Sequence, residues 1–125
     1  MKVIIAGGRD IEDYDAVLKA VADAKFEIDT VVSGGATGVD TLALRYAREN
    51  GIFSMVFPAD WKGYGRRAGP MRNQEMAEHA DALIAVWDGE STGTKDMINR
   101  MVKANKPVHV HLYGKIKTSL DMFYE

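Results

Sequence analysis

Short apolar runs that end at glycine or another turn-forming residue recur along this chain, each separated from the next by a stretch with helical spacing. The first, Val3-Ile4-Ile5-Ala6, is rich in β-branched side chains, has no polar member and stops at Gly7-Gly8. Such a run suits a strand covered on both faces, the situation in a parallel sheet, and not one that alternates between core and water. Thr30-Val31-Val32, stopped by Ser33-Gly34-Gly35, is the second. Ser54-Met55-Val56-Phe57 and Ala82-Leu83-Ile84-Ala85-Val86-Trp87 follow, and Lys106-Pro107 opens a last strand through Leu112.

Between these runs, Val17, Leu18, Val21 and Ala24 recur at steps of three and four within Asp13 to Lys25, with Asp13 and Asp15 where a helix dipole favours acids. Val39, Leu42, Ala43, Tyr46 and Ala47 make a second stripe, ending near Asn50-Gly51, a favourable stop. A third helix is expected from about Pro70 to His79, with proline in its first turn. A fourth, about Gly93 to Ala104, carries Met97, Ile98, Met101 and Val102. Strands alternating with helices indicate an α/β fold: a single three-layer αβα domain over residues 1–125, with a mainly parallel five-stranded sheet and right-handed crossovers. The tail beyond Leu112 has no clear pattern.

Composition fits that reading and narrows the function. With 46% hydrophobic and 27% charged residues, the chain has the make-up of an ordinary globular domain. Its apolar runs are too short to cross a bilayer, so no membrane partner is expected. Sixteen Lys and Arg against eighteen Asp and Glu leave a net charge of −2, which argues against a whole-surface grip on duplex nucleic acid but leaves room for a local basic patch. The absence of cysteine excludes disulfides, thiolate catalysis and Cys-ligated zinc. Met1-Lys2-Val3-Ile4-Ile5 lacks a signal-peptide layout, and a cytoplasmic protein is expected.

In an open parallel sheet, ligands bind beyond the carboxyl ends of the strands, where loops lead into helix N-termini. Here those loops carry Gly7-Gly8-Arg9-Asp10, Ser33-Gly34-Gly35-Ala36-Thr37-Gly38 and Asp88-Gly89-Glu90-Ser91-Thr92-Gly93-Thr94. Glycine lets backbone N–H groups come close to an anion, and the helix terminus adds positive partial charge. Any one such loop is equally a tight turn that needs positive φ, whereas three at one sheet edge favour a ligand site. The loop after the second strand resembles a phosphate cradle, although no Gly-Lys-Ser/Thr follows and its spacing is not the dinucleotide fingerprint. Arg9 suits bidentate pairing with phosphate or carboxylate, or a surface pair with Asp10 or Glu12. Asp40 fits either a contact to a ribose hydroxyl or a helix-start acid.

The connection Asp60 to Gly69 is long for such a fold and reads as an unpatterned binding loop or lid. Lys62, Arg66, Arg67 and Arg72 cluster with no acid between Trp61 and Gln74, while Trp61 and Tyr64 offer aromatic faces. Cations interleaved with aromatics suit a nucleobase with phosphate, or single-stranded nucleic acid; the alternative is a solvated loop with Trp61 folded onto the core. His109 and His111 share a strand face, but a polar face on an edge strand explains them better than metal ligation, and His79 fits a helix end. No metal or cofactor is expected. The methionines fall mainly in helical stripes, as core filler.

Taken together, the three loops and Gly69-Pro70-Met71-Arg72-Asn73 resemble the SLOG superfamily, which groups DprA with the LOG phosphoribohydrolases, and most closely its YspA-like branch. The resemblance covers nearly the whole chain. It implies a Rossmann-like sheet whose glycine loops bind a nucleotide or nucleotide-derived ligand, with Arg72 and Asn73 near its phosphate or base. In LOG enzymes the last loop reads Gly-Gly-x-Gly-Thr-x-x-Glu, and the glutamate cleaves an N-glycosidic bond. Here Met97 stands in that place, which leaves Asp40, Asp88, Glu90 and Asp96 as candidate catalytic carboxylates. The resemblance to DprA implies single-stranded DNA as a less favoured partner, weakened by the net acidity. Similar proteins often dimerise through helices flanking the sheet, so a homodimer is expected.

Overall fold

A computed structural model describes residues 1–114. Five strands, β1 (Lys2–Gly7), β2 (Thr30–Ser33), β3 (Phe53–Val56), β4 (Ala82–Trp87) and β5 (Val108–Leu112), form one sheet of order β3-β2-β1-β4-β5. Every neighbouring pair is parallel, with Val3 opposite both Val31 and Ala82, and Leu83 opposite Val108. The helices are α1 (Tyr14–Ala24), α2 (Val39–Glu49), α3 (Trp61–Tyr64), α4 (Ala68–His79) and α5 (Thr92–Lys103), with a 3-10 turn at Gly65–Arg67 between α3 and α4.

The strand pleat sorts the core into two layers. Val3 and Ile5 of β1, with Ala82, Ile84 and Val86 of β4, pack against Val17 and Ala20 of α1 and Val39, Ala43 and Ala47 of α2. Ile4 and Ala6, with Leu83 and Ala85, face Met76 and Ala77 of α4 and Met97 and Met101 of α5. Helices therefore cover both faces, and β1 and β4 are continuous apolar runs because neither face meets water. Edge strands differ: Phe53 on β3 is 82% exposed. The other edge, β5, carries His109 and His111.

Element boundaries follow their caps. Asp13 is the N-cap of α1, accepting from the Ala16 N–H at 3.2 Å, and Lys25 closes the helix in the left-handed region at φ 60°. The third strand begins one residue before the expected Ser54 and ends at Val56. The expected unpatterned connection from Asp60 to Gly69 is helical instead. Asp60 accepts from the Gly63 N–H at 2.9 Å and so starts α3, and α4 then begins at Ala68, with Pro70 still in its first turn. The expected start of the last helix at Gly93 moves to Thr92, because Ser91 is the cap. The unpatterned tail of the sequence reading lies, beyond Gly114, outside the described residues.

Candidate functional site

Consecutive strands run from β1 toward β2 on one side and from β4 toward β5 on the other, so the strand order reverses between β1 and β4. That reversal opens a crevice at the carboxyl edge, where open α/β sheets bind ligands. A cleft of about 770 Å³ occupies the position, within the usual size range for small-molecule sites. Gly7 and Gly8 at the end of β1 form one wall, Asp88 to Thr94 the other, and α4 closes the side through Gly69, Pro70, Arg72 and Asn73.

The loop after β4 is shaped by its own side chains. Asp88 accepts from the backbone N–H groups of Glu90 and Ser91, each at 2.8 Å, and these bonds hold its carboxyl below the ordinary range. The Trp87 indole N–H donates to the Ser91 carbonyl at 3.1 Å, and Ser91 caps α5 at Thr94. The N–H groups of Thr92 and Gly93, both on the cleft wall, have no protein acceptor among the described residues. They are backbone donors that the start of α5 leaves without an intrahelical partner.

The loop after β2 behaves differently. The Gly35 N–H donates to Ser33 Oγ at 3.2 Å, the Ala36 N–H to Asp40 Oδ2 at 3.1 Å, and the Val39 N–H to the Gly8 carbonyl at 3.2 Å. Ser33 is fully buried and donates to the Asp40 carbonyl, and Thr37 Oγ1 donates to the Arg9 carbonyl at 3.5 Å. At Gly38, φ is 75° and a Cβ would collide with the Gly8 carbonyl oxygen, so only glycine fits. Three donors at the expected phosphate cradle, the Gly35, Ala36 and Val39 N–H groups, are thus engaged inside the protein, and the Val39 and Thr37 bonds hold α2 against the loop after β1.

Asp40 and Arg72 both approach Gly34: a Cβ there would collide with Arg72 Nη1 and lie 2.8 Å from Asp40 Oδ2. Burial pushes the Asp40 carboxyl up, opposed by the Ala36 N–H and by the charges of Arg72 and Arg9. Burial likewise lowers Arg72, against the pull of Asp40. Arg72 Nη1 donates to the Gly34 carbonyl at 2.8 Å, and its Nε to Asn73 Oδ1 at 3.1 Å. Asn73, itself buried, donates through Nδ2 to the Gly93 carbonyl at 3.3 Å and to Asp96 Oδ2 at 3.0 Å. Arg100 Nε completes the chain to Asp96 at 2.8 Å. This relay ties both glycine loops to α4, while the buried Asp40 carboxylate accepts from the Ala36 N–H of its own loop and Asp40 also lines the cleft.

At the mouth, Arg9 lies over the Trp61 ring, 5.5 Å from its centroid, and forms no ion pair with Asp10 or Glu12. Trp61 is half exposed and does not fold into the core.

Of the residues singled out in the sequence, the cleft brings together Gly7 at the end of β1, Gly8, Arg9 and Asp10 of the loop after it, Ala36 of the second loop and Asp40 in the first turn of α2. Arg72, Asn73, Trp61 and Arg66 join them, as do Asp88, Glu90, Ser91, Thr92, Gly93, Thr94 and Asp96. Ser33, Gly34, Gly35, Thr37 and Gly38 are not on its wall, nor are Lys62, Tyr64 and Arg67. Of the other lining residues, Gly69 and Pro70 belong to the motif that ends at Asn73 and Met97 stands at the LOG glutamate position, whereas Ala6 and Met76 read as strand and helix filler and Ile11 carried no sequence signal. Among the described residues, no group of three His, Asp or Glu is placed to hold a metal. No helix there is long and apolar enough to cross a membrane. His79 sits at a helix end with Nδ1 2.9 Å from the Glu75 carbonyl.

Comparison with known proteins gives three matches. A model of the YspA, cpYpsA-related SLOG family matches residues 1–64. Gene 61 protein of Mycobacterium phage D29 is 36% identical over 116 residues, covering 86% of this chain and 93% of that protein. The crystal structure of DNA processing protein A (DprA) from Streptococcus pneumoniae superposes with a TM-score of 0.73 over 91% of this chain at 20% identity. This chain spans about half of that one, 51%, and at such low identity the likeness bears on the fold.

Proposed function

From the chain's membership of the YspA, cpYpsA-related SLOG family, we propose that the cleft between β1 and β4 binds a nucleotide or nucleotide-derived ligand, such as a nucleoside phosphate or an ADP-ribose-like compound, and that the protein acts as a sensor or binding domain. The observation that carries this reading is the open start of α5: Thr92 and Gly93, whose N–H groups have no protein acceptor among the described residues, line the same cleft as Arg9 and Arg72. Donors for an anion and an apolar floor of Ala6, Ile11, Met76 and Met97 suit a ligand with a charged and a planar end. A LOG-like phosphoribohydrolase is the weaker alternative. Its glutamate position holds Met97, 1% exposed in the core, while Asp96 is engaged by Asn73 and Arg100 and Asp88 by its own turn. Glu90 remains as an exposed carboxylate on the wall.

The name of the DprA neighbour motivates a second reading, single-stranded DNA binding. One observation favours it: Tyr64 is exposed beside Lys62, Arg66 and Arg67, next to the mouth of the cleft. A thermal-shift screen with nucleoside mono- and diphosphates, ADP-ribose, nicotinamide dinucleotides and a short oligonucleotide at two salt concentrations separates the readings. A ligand at a hundredfold its Kd adds about 2.7 kcal/mol of stability. A salt-tolerant shift with a small ligand supports the first reading. A shift with the oligonucleotide alone that fades with salt supports the second, and Arg66→Ala with Arg67→Ala then weakens it for all sequences alike. Free base released on long incubation would favour the hydrolase. Self-association as a homodimer belongs to the same proposal and is read from the solution mass.

A further inference from the structure

Among the described residues two arginines lie over aromatic rings, and they are held very differently. Arg45 stands 3.9 Å from the Tyr14 centroid, and Glu49 fixes its guanidinium at 2.7 Å. Arg9 stands 5.5 Å from the Trp61 centroid with no carboxylate partner among the described residues. Of this second pair, the ring is the anchored member. Trp61 opens α3 and rests on α4 where Gly69 leaves room; a Cβ there would fall 3.1 Å from Trp61 Cη2. Arg9 is exposed, on a loop at the rim of the cleft.

We propose that Arg9 is a placeholder on Trp61: a ligand's planar heterocycle takes its place against the indole, and the released guanidinium pairs with the anionic group of the same ligand. This rests on the nucleotide reading above and adds which two side chains read the two halves of the ligand. An exposed cation over a ring at this distance is a weak contact. Base–indole stacking and a charge-assisted bond from guanidinium to phosphate are both stronger, so a ligand that supplies ring and anion together exchanges one weak contact for two strong ones. A nucleoside without phosphate leaves Arg9 unanswered, and phosphate without a base leaves the indole bare. The pair therefore selects for molecules that carry both.

The test is titration of the full chain with the four common nucleoside monophosphates, the matching nucleosides and inorganic phosphate. Binding is read by calorimetry and by tryptophan emission. Trp61→Phe leaves Trp87 as the sole tryptophan and serves as the emission control. At least one monophosphate is expected to bind and to change the emission of the native protein but not that of the control. Its nucleoside and inorganic phosphate are each expected to bind about tenfold or more weakly. Arg9→Ala is expected to weaken the monophosphate by a similar factor while leaving the nucleoside within about twofold. Calorimetric binding with unchanged Trp61 emission, or full affinity in Arg9→Ala, overturns the placeholder role and leaves the nucleotide reading standing. Failure of all four monophosphates to bind overturns the placeholder role as well, and failure of the diphosphates, ADP-ribose and dinucleotides besides overturns the nucleotide reading.

Discussion

The loops after β2 and β4 are alike in composition, short stretches of glycine and hydroxyl residues leading into an eleven- and a twelve-residue helix, yet their backbone donors point to different uses. After β2, the N–H groups of Gly35, Ala36 and Val39 find Ser33, Asp40 and the Gly8 carbonyl. After β4, Asp88 takes up the N–H groups of Glu90 and Ser91, and those of Thr92 and Gly93 stay open on the cleft wall. Glycine content alone does not distinguish a cradle from a lock. What distinguishes them is where the engaged N–H groups go: Val39, after β2, reaches across to the Gly8 carbonyl, whereas Glu90 and Ser91, after β4, bond to the Asp88 side chain of their own turn.

The largest expected effect tests the locked loop. Gly38→Ala places a Cβ against the Gly8 and Arg9 carbonyl oxygens at φ 75°, where side chains are strained before any collision is counted. A loss of about 3–5 kcal/mol is expected in denaturant unfolding. A loss below about 1 kcal/mol would mean that the loop yields easily and is no lock.

Next in size is the relay that joins the two loops. Asn73→Ala strips the Gly93 carbonyl and Asp96 of a buried donor and leaves Arg72 Nε without its acceptor. The expected cost is about 1–3 kcal/mol. Hydrogen exchange should then quicken in the first turn of α5 as well as in α4, and quickening confined to α4 would uncouple the loop after β4 from the relay.

These two tests also mark where the sequence was and was not legible. The sheet was readable because β1 and β4 are apolar on both faces, which only a covered parallel strand tolerates. The crevice position followed from that topology. The state of each loop did not, because it depends on contacts such as Val39 to Gly8 between segments about thirty residues apart. The helical turn at Trp61–Tyr64 was hidden by Gly63 and by the arginines after it, although Asp60 as a capping residue was a usable sign. Met76 looked like core, and it is; nothing in the sequence says that the same side chain also lines a cleft, whereas Met97 was marked by standing at the LOG glutamate position.

A smaller effect concerns the charge inside the locked loop. The Asp40 carboxyl is pushed up by burial, so the folded state holds its proton more tightly than the unfolded chain does. Stability therefore falls as pH rises from the ordinary carboxylate range through the raised value, and the full penalty is present above it. Asp40→Asn keeps an acceptor for the Ala36 N–H and removes the ionisation. At neutral pH the change should stay within about 1 kcal/mol, with the fall over that pH interval flattened. An unchanged slope in thermal unfolding between acidic and neutral pH would show that Asp40 ionises in the fold as freely as in the unfolded chain.

The smallest effect separates the loops most sharply, because it asks stability and binding to move in opposite directions. A Cβ added at Gly93 meets no atom within 4 Å, and the residue lies inside α5, where alanine is the better helix former. Gly93→Ala should raise stability by about 0.5 kcal/mol, the reverse of Gly38→Ala. Yet if the open N–H of Gly93 holds a ligand's anion, the new methyl stands beside that donor, and affinity should fall while the unfolding midpoint rises. A gain in stability with unchanged affinity would move the anion away from the start of α5 toward Arg9 and Arg72. A loss of stability would show that the loop after β4, like the one after β2, needs its glycine for packing, and the contrast between the two would close.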